Sequence, residues 1–192
     1  MTGDWRRRDL AWLPALAAVG GLGFALPGQG GKTPPIPETR MSKIEARLAE
    51  LGIQLPEPPA AIATYVGYVR TGNLVHVSGQ VSTDASGGIK GTVGVDVDLE
   101  TAQKAARLCA VNILSQLKAA VGDLDNVVRI VKLGGFVQAG PDFYDVPKVI
   151  NGCSDLMVEV FGEAGRHARA AVGVYKLPIG FAVEVDAIVE VK

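Results

Sequence analysis

The stretch FAVEVDAIVEV, residues 181–191, decides the fold class. Apolar residues alternate along it, so that one face carries Val183, Val185, Ala187, Val189 and Val191. The other face carries acidic residues interrupted by Ile188. A period of two residues is typical of a β-strand with one buried face, and we expect helices to cover the valine face.

The preceding stretch HARAAVGVYKLP, residues 167–178, raises a question of charge. Its strand-like part, residues 169–174, begins with Arg169, and a buried guanidinium is costly unless an anion meets it. If residues 169–174 and 181–191 form an antiparallel hairpin, Glu184 returns to the level of Arg169. The anion is then Glu184 itself or a small bound carboxylate, for which the neighbouring small residues leave space: Ala168, Ala170, Ala171 and Gly173.

Outward from these strands, the chain alternates between helical and strand-like patterns. A capping box at Ser42 and Glu45 begins a short helix that ends at Gly52. The segment 64–81 reads as a hairpin that turns at residues 71–73, and the Gly-rich segment 82–98 as an exposed loop. Apolar spacing of three and four residues predicts long helices over 99–121 and from about 145 to 161, with the strand NVVRIVKLGGFV, residues 126–137, between them.

This order of elements indicates an α+β domain. We expect one mixed β-sheet with two long helices packed on one face, over residues 41–192. The uncovered face of such a sheet needs a partner, and other copies of the chain are the natural one. The sequence therefore predicts a homo-oligomer.

Residues 1–40 differ in composition from the rest. Arginines at 6–8 precede an apolar stretch, as in a secretory signal, but prolines and glycines interrupt that stretch and no clear cleavage site follows. A start that is not native to the domain is the alternative, because Met41-Ser-Lys resembles a natural beginning. We expect a cytoplasmic protein without membrane contact, or an exported or anchored one if residues 1–40 are a genuine signal or anchor.

Composition narrows the functional classes. A formal net charge of -1 and the absence of a basic stripe disfavour nucleic acid as a partner. Cys109 and Cys153 belong to no metal-binding pattern and fall in helical stretches, so we expect buried, reduced thiols. Neither His76 nor His167 has a second ligand at metal-binding spacing; of the two, we expect His167 to reach a site beside Arg169.

The two C-terminal strands resemble the signature of the RidA/YjgF family, also labelled endoribonuclease L-PSP. In that family an Ala-Arg strand ending in Leu-Pro precedes a Val-Glu strand, and HARAAVGVYKLP with AVEVDAIVEV is similar to it. The hairpin TYVGYVRTGNLVHVSGQV and the helical stretch VINGCSDLMVEVFG match further family elements. The resemblance extends over most of residues 42–192.

The resemblance implies a chorismate-mutase-like fold that forms a homotrimer with clefts between subunits. It implies hydrolysis of reactive 2-imino and 2-enamino acids to 2-keto acids and ammonia, without cofactor or metal. Arg169 would bind the substrate carboxylate, Glu184 would position the attacking water, and Tyr65 would line the cleft with them. The binding residues that the resemblance implies are Ser78, Gly79, Asn151 and Ala171.

Two positions depart from the family pattern. Gly173 stands where many members have glutamate, and Ala171 where many have cysteine. These departures indicate a divergent subgroup and leave two other functions open: a trimeric protein that binds small carboxylates without turnover, and a ribonuclease or translation inhibitor.

Overall fold

The computed structural model describes residues 42–58 and 63–192. The interpretation of residues 1–40 as a signal or a non-native start therefore lies outside the described residues. The helices and strands of the described part are α1 (Lys43–Glu50), β1 (Tyr68–Thr71), β2 (Leu74–Val81), α2 (Leu99–Val121), β3 (Val127–Gln138), α3 (Val146–Phe161), β4 (Ala168–Val174) and β5 (Val183–Val191).

The helix boundaries follow the predicted capping signals. The Ser42 hydroxyl accepts from the Glu45 amide at 3.1 Å at the start of α1, and Asp98 Oδ1 accepts from the Thr101 amide at 2.7 Å at the start of α2. Gly122 ends α2 with a φ of 74°, a conformation that favours glycine. These local signals depend only on near neighbours, and the predicted helices are confirmed.

The five strands form one mixed sheet in the order β1-β2-β5-β3-β4. The hairpin of β1 and β2 is confirmed, with Thr71 paired to Leu74. Strand β5 runs antiparallel to β2 on one side and to β3 on the other, and β4 runs parallel to β3 at the edge of the sheet. The α+β prediction of a mixed sheet is confirmed.

The predicted hairpin of the last two strands is wrong. Strand β3 lies between β4 and β5, because α3 returns the chain so that β4 pairs in parallel with the outer side of β3. The last strand then fills the central position, where both of its edges find partners and its alternate residues are buried. Residues 175–182 therefore cross over β3 instead of forming a tight turn.

Helices α2 and α3 cover one face of the sheet, as predicted. Helix α2 packs on β2 and on the valine face of β5, and α3 packs on β3 and β4. The largest fully buried side chains include Ile113, Leu114, Leu117, Ile150, Leu156 and Met157. Both cysteines belong to this core as free thiols. Burial raises the pKa of Cys109, and it raises the pKa of Cys153 to about 12, which keeps both thiols protonated near neutral pH.

The segment 82–98 is less exposed than its glycines suggest. Val93 and Val97 are buried in the core, and the Val93 amide donates to the Gln138 carbonyl at 2.8 Å. The prediction of a wholly exposed loop is wrong here because two apolar side chains bind this segment to the end of β3. Within the described residues, no helix combines the length and apolarity that a membrane crossing requires.

Helices α2 and α3 approach closely at Gly152. A Cβ at this position would overlap the carbonyl oxygen of Gln103 on α2, and a backbone atom cannot move aside as a flexible side chain can. We therefore expect Gly152→Ala to lower the free energy of unfolding by about 1–3 kcal/mol, as overpacking does in cores. Urea unfolding followed by circular dichroism measures this change.

Gly173→Ala is the matched control for this prediction. A Cβ there would meet Ala139 and Val146 at 3.5 and 3.6 Å, which is ordinary contact. Equal stability of the two variants would contradict the close approach at Gly152.

Candidate functional site

Arg169 reaches from the edge strand β4 to α3. Its Nη1 donates to Asn151 Oδ1 at 2.9 Å and to Ser154 Oγ at 3.0 Å, and its Nη2 donates to the Pro147 carbonyl at 3.3 Å. Asn151 and Ser154 lie three residues apart and so share one face of the helix. All three acceptors are neutral. Among the described residues, no carboxylate forms an ion pair with this guanidinium.

His167 joins the same group of side chains. Its Nδ1 lies 2.6 Å from the Gly165 carbonyl oxygen, and its Nε2 lies 3.0 Å from Ser154 Oγ. Because a carbonyl only accepts, Nδ1 carries the ring proton, and the neutral ring accepts from the serine hydroxyl at Nε2. Burial lowers the pKa of His167, and the nearby charge of Arg169 adds to this effect. The hydrogen bond to Gly165 acts in the opposite direction, but the pKa remains below its usual value. We call Arg169, Asn151, Ser154 and His167 the arginine cluster.

Glu184 lies on the central strand, on the face of the sheet away from the helices. A Cβ at Gly79 would overlap its Oε1, so the glycine on β2 gives the carboxylate room to lie across the strand. The side chain is half-buried. Burial, and then the negative charge of Asp186, raise the pKa of Glu184 above its usual value.

Ser78 is next to Gly79 on β2, and Tyr65 lies in the segment that precedes β1. The Ser78 hydroxyl donates to the Val66 carbonyl at 2.7 Å and the Ser78 amide to the Gly67 carbonyl at 3.0 Å, which ties the segment carrying Tyr65 to β2. The register between β2 and β5 shifts between Val77 and Gln80, at Ser78 and Gly79. We call Glu184, Gly79 and Ser78 the glutamate cluster.

The structure does not bring Arg169 and Glu184 together within one chain. Arg169 is in register with Leu133 and contacts α3, so it lies on the helical face of the sheet. Glu184 is in register with Phe136 and lies between the buried Val183 and Val185, so it lies on the opposite face. The hairpin that would have placed them at one level is absent, because β3 separates the two strands, so the alternative in which Glu184 is the anion of Arg169 is wrong.

The small residues near Arg169 divide between the two faces. Ala171 and Gly173 alternate with the arginine on its own face, in register with Gly135 and Val137. Ala168 and Ala170 lie on the other face and leave no space beside the guanidinium. Only half of the predicted space is thus available to a ligand of Arg169.

Sequence reasoning missed Ser154, although a signal for it was available. A polar residue three positions after Asn151, with both facing the arginine strand, is the helical spacing that could have identified it. His167 was expected near the site, and its ring does contact Ser154. The register shift and the glycine contact that admit Glu184 depend on pairing between distant strands, so no local pattern shows them.

One cavity lies against α1. It has a volume of about 600 Å³ and is lined mainly by α1, α2 and the segment between them, including Leu48, Ile53, Leu55, Pro56 and Ala119. It shares no residue with either cluster. In the described part of the chain, no His, Cys, Asp and Glu side chains are grouped as a metal site.

Comparison with known proteins identifies relatives over the whole described domain. The family model described as "YjgF/chorismate mutase-like, putative endoribonuclease" matches residues 45–189. Protein TCP17 of Trypanosoma cruzi is 50% identical over 150 residues, which are 77% of this chain and 94% of that protein.

Two solved structures give the spatial comparison. The Agrobacterium tumefaciens protein Atu1372, of unknown function, is 52% identical with a TM-score of 0.73, over 78% of this chain and 93% of its own. The E. coli protein TdcF, solved with bound serine, is 26% identical with a TM-score of 0.52, over 71% of this chain and 94% of its own.

Because the charge of Asp186 contributes to the raised pKa of Glu184, removal of that charge should lower this pKa. Asp186→Asn removes a negative charge while its side-chain oxygen can still accept from the Gly134 amide, so the pKa of Glu184 falls toward 4.5. Carboxyl carbon titration by NMR measures this directly. Glu190→Gln, on the same strand but hydrogen-bonded to Asn73, is the control and leaves the pKa of Glu184 unchanged.

The same shift sets the sign of a pH effect on stability. The folded chain holds the Glu184 proton to a higher pH than the unfolded chain, so this group's contribution to the free energy of unfolding falls as pH rises from 4.5 to the raised pKa. In Asp186→Asn this fall is smaller. An unchanged titration of Glu184 in that variant would refute the assigned cause.

Proposed function

Because the chain belongs to the YjgF/chorismate mutase-like family, we propose that it hydrolyses small 2-imino and 2-enamino acids to 2-keto acids and ammonia. The observation that carries this proposal is the guanidinium of Arg169, which is exposed, held in place by neutral acceptors and not neutralised by a carboxylate of the described residues.

The donors that Arg169 retains suit a carboxylate. Its guanidinium has five N–H groups, of which both on Nη1 and one on Nη2 are used within the protein. Among the described residues, Nε–H and the second Nη2–H have no acceptor, and they form one edge of the planar group. That edge can hold a carboxylate through two parallel hydrogen bonds.

Glu184 supplies the base for the attacking water. Its raised pKa makes the carboxylate a better base than an ordinary glutamate. The water oxygen bonds to the imine carbon while one water proton passes to Glu184 and from it to the nitrogen, which gives a carbinolamine. Glu184 then carries the hydroxyl proton to the amino nitrogen, the C–N bond breaks, and ammonia and the keto acid are released. Since an imine is already electrophilic, positioning by Arg169 contributes most of the acceleration.

A second copy of the chain completes this site in the proposal. Arg169 and Glu184 lie on opposite faces of one sheet, so one substrate can meet both only if they come from different subunits. The face that carries Glu184 also exposes apolar side chains, with Val69 at 55% and Val172 at 46% exposure. We propose the homotrimer of the family, in which these faces meet and the arginine edge of one subunit lies near the glutamate cluster of the next.

Binding without turnover is the second candidate function. The TdcF structure with bound serine supports recognition of a small amino acid in this fold. Under this alternative, keto acids and amino acids raise the melting temperature of the protein through Arg169, yet no imine is consumed. The ribonuclease activity named in the family description is less favoured, because a formal net charge of -1 provides no general attraction for RNA.

Arg169→Ala tests the carboxylate contact. Each hydrogen bond to a charged group contributes about 1.5–3 kcal/mol, so loss of two lowers kcat/KM by roughly 10²–10⁴-fold. Arg169→Lys keeps the charge but not the planar pair of donors, so its kcat/KM lies between that of the wild type and that of Arg169→Ala. The assay follows keto-acid release from an imine that an amino-acid oxidase generates.

Arg107→Ala is the matched control for this measurement. Arg107 pairs with Glu159 on the outer surface of the helices. We therefore expect its substitution by alanine to leave kcat/KM unchanged. An Arg169→Ala protein with wild-type rates would exclude the proposed deaminase.

Mixing two inactive variants tests whether subunits share the site. Arg169→Ala and Glu184→Gln are unfolded together, refolded together and assayed. In randomly mixed trimers, about a quarter of the shared sites receive both intact residues, so activity returns to roughly that fraction. No recovery from a mixture shown to contain hybrid trimers would place both residues in one chain's site and contradict the shared cleft.

A further inference from the structure

Ser154 has a base on one side of its hydroxyl and a cation on the other. We propose that Ser154 is a nucleophile activated by His167, and that the arginine cluster cleaves small acyl esters through an acyl-serine intermediate. This activity goes beyond imine hydrolysis and does not depend on it, because Glu184 takes no part.

His167 is held in the orientation that a general base requires. Its Nδ1–H donates to the Gly165 carbonyl at 2.6 Å, which leaves Nε2 to accept the Ser154 proton across 3.0 Å. A nucleophile, a base within hydrogen-bond reach and a third group that orients the base form the arrangement of activated serines. Here a backbone carbonyl takes the orienting position that a carboxylate has in the usual triad.

The orienting carbonyl is itself fixed by packing. Gly165 is buried at the end of a short turn, Gly162–Gly165, that follows α3. A Cβ at Gly165 would overlap the Met157 carbonyl oxygen, so only glycine permits this close approach to the helix. The carbonyl therefore keeps one position relative to the ring of His167.

The electrostatics favour the reactive state. The pKa of His167 is lowered by burial, so the ring is neutral and able to accept a proton at pH 7. Arg169 Nη1, at 3.0 Å from Oγ, stabilises negative charge as the hydroxyl loses its proton. The positive charge of Arg169 also stabilises the oxyanion that forms on the substrate carbonyl.

The surroundings select small acyl groups. Arg169 is exposed at the edge strand and Ser154 is half-buried behind it, so a substrate approaches from solvent. Ala171 and Gly173 are the small residues on the arginine's own face of β4. Ala171, two residues beyond Arg169, is the nearer of the two, and its small side chain leaves room beside the guanidinium for a small acyl group such as acetyl.

The reaction balances without any further reagent. Ser154 Oγ bonds to the ester carbonyl carbon while its proton moves to His167 Nε2 and the carbonyl electrons become an oxyanion. The oxyanion collapses, the bond to the leaving alcohol oxygen breaks, and His167 returns the proton to that oxygen. Water, deprotonated by His167, then hydrolyses the acyl-serine and restores both groups.

The test uses p-nitrophenyl acetate with the full-length protein. We expect a burst of p-nitrophenolate and one acetyl group on Ser154, located by fragmentation of the peptide that contains it. Ser154→Ala abolishes both, and His167→Gln slows acetylation by roughly 10²–10⁴-fold, as loss of a general base does. In the wild type the rate rises with pH through an inflection below 6.5, where His167 becomes neutral.

Three controls separate this proposal from chance acylation. Ser86→Ala and His76→Gln change an exposed serine and histidine away from the cluster and leave the burst intact. Cys153→Ala also leaves it intact, because the buried thiol next to Ser154 has a pKa of about 12. In case the alanine variant does not fold, Ser154→Cys keeps the acetyl group on residue 154 but as a thioester instead of an ester.

Acetyl groups confined to lysines or Cys153, or a burst of unchanged size in a folded Ser154→Ala protein, would overturn the proposal. Imine hydrolysis is assayed on the same preparations. If the protein releases keto acid but forms no acyl-serine, the deaminase proposal stands and the esterase proposal is wrong. If it forms the acyl-serine but releases no keto acid, the esterase proposal stands and the deaminase proposal is wrong.

Discussion

The central position of β5 is the constraint on which the rest of the structure depends. This strand pairs antiparallel with β2 and with β3, and its five alternating apolar residues, at 183, 185, 187, 189 and 191, are all buried on the face that the helices cover. Each fully buried valine contributes about 1.5–3 kcal/mol relative to an exposed one. A shift of register by one residue would expose the whole set and bury the acidic residues in its place.

The same constraint separates the two charged groups of the candidate site. With β5 in the centre, β3 stands between it and β4, and the alternation of each strand directs Arg169 to the helices and Glu184 to the opposite face. Neither charge neutralises the other. Each is instead available to something outside its own chain, which is why the proposed site draws on two subunits.

The neutral partners of Arg169 explain how one cation can serve a small site. Asn151, Ser154 and the Pro147 carbonyl hold the guanidinium without cancelling its charge, and they leave one edge of it open. His167 lies in the same network and stays neutral beside the cation, because burial and the charge of Arg169 both disfavour its protonation. A carboxylate, or an oxyanion during ester cleavage, therefore meets a single fixed positive charge.

Local patterns predicted much of this molecule, and the site less completely. Three kinds of feature depend only on neighbours within a few positions, so the sequence predicts them: the capping residues, the helical stripes on 99–121 and 146–161, and the hairpin at residues 71–73. The sequence does not predict the burial of Val93 and Val97, because that burial depends on contact with the end of β3. The mixed sheet with helices on one face followed from the order of these elements.

What only the tertiary structure decided is which strands meet. A hairpin of residues 169–174 with 181–191 and a parallel β3–β4 pair are compatible with the same alternation, since the pattern along a strand specifies its buried face but not its neighbour. The choice came from the return of the chain through α3 and from the burial that β5 gains between two partners. The sequence by itself determined that Arg169 and Glu184 are unusual; the order of the strands decided that they stand apart, with Ser154 and His167 beside the arginine.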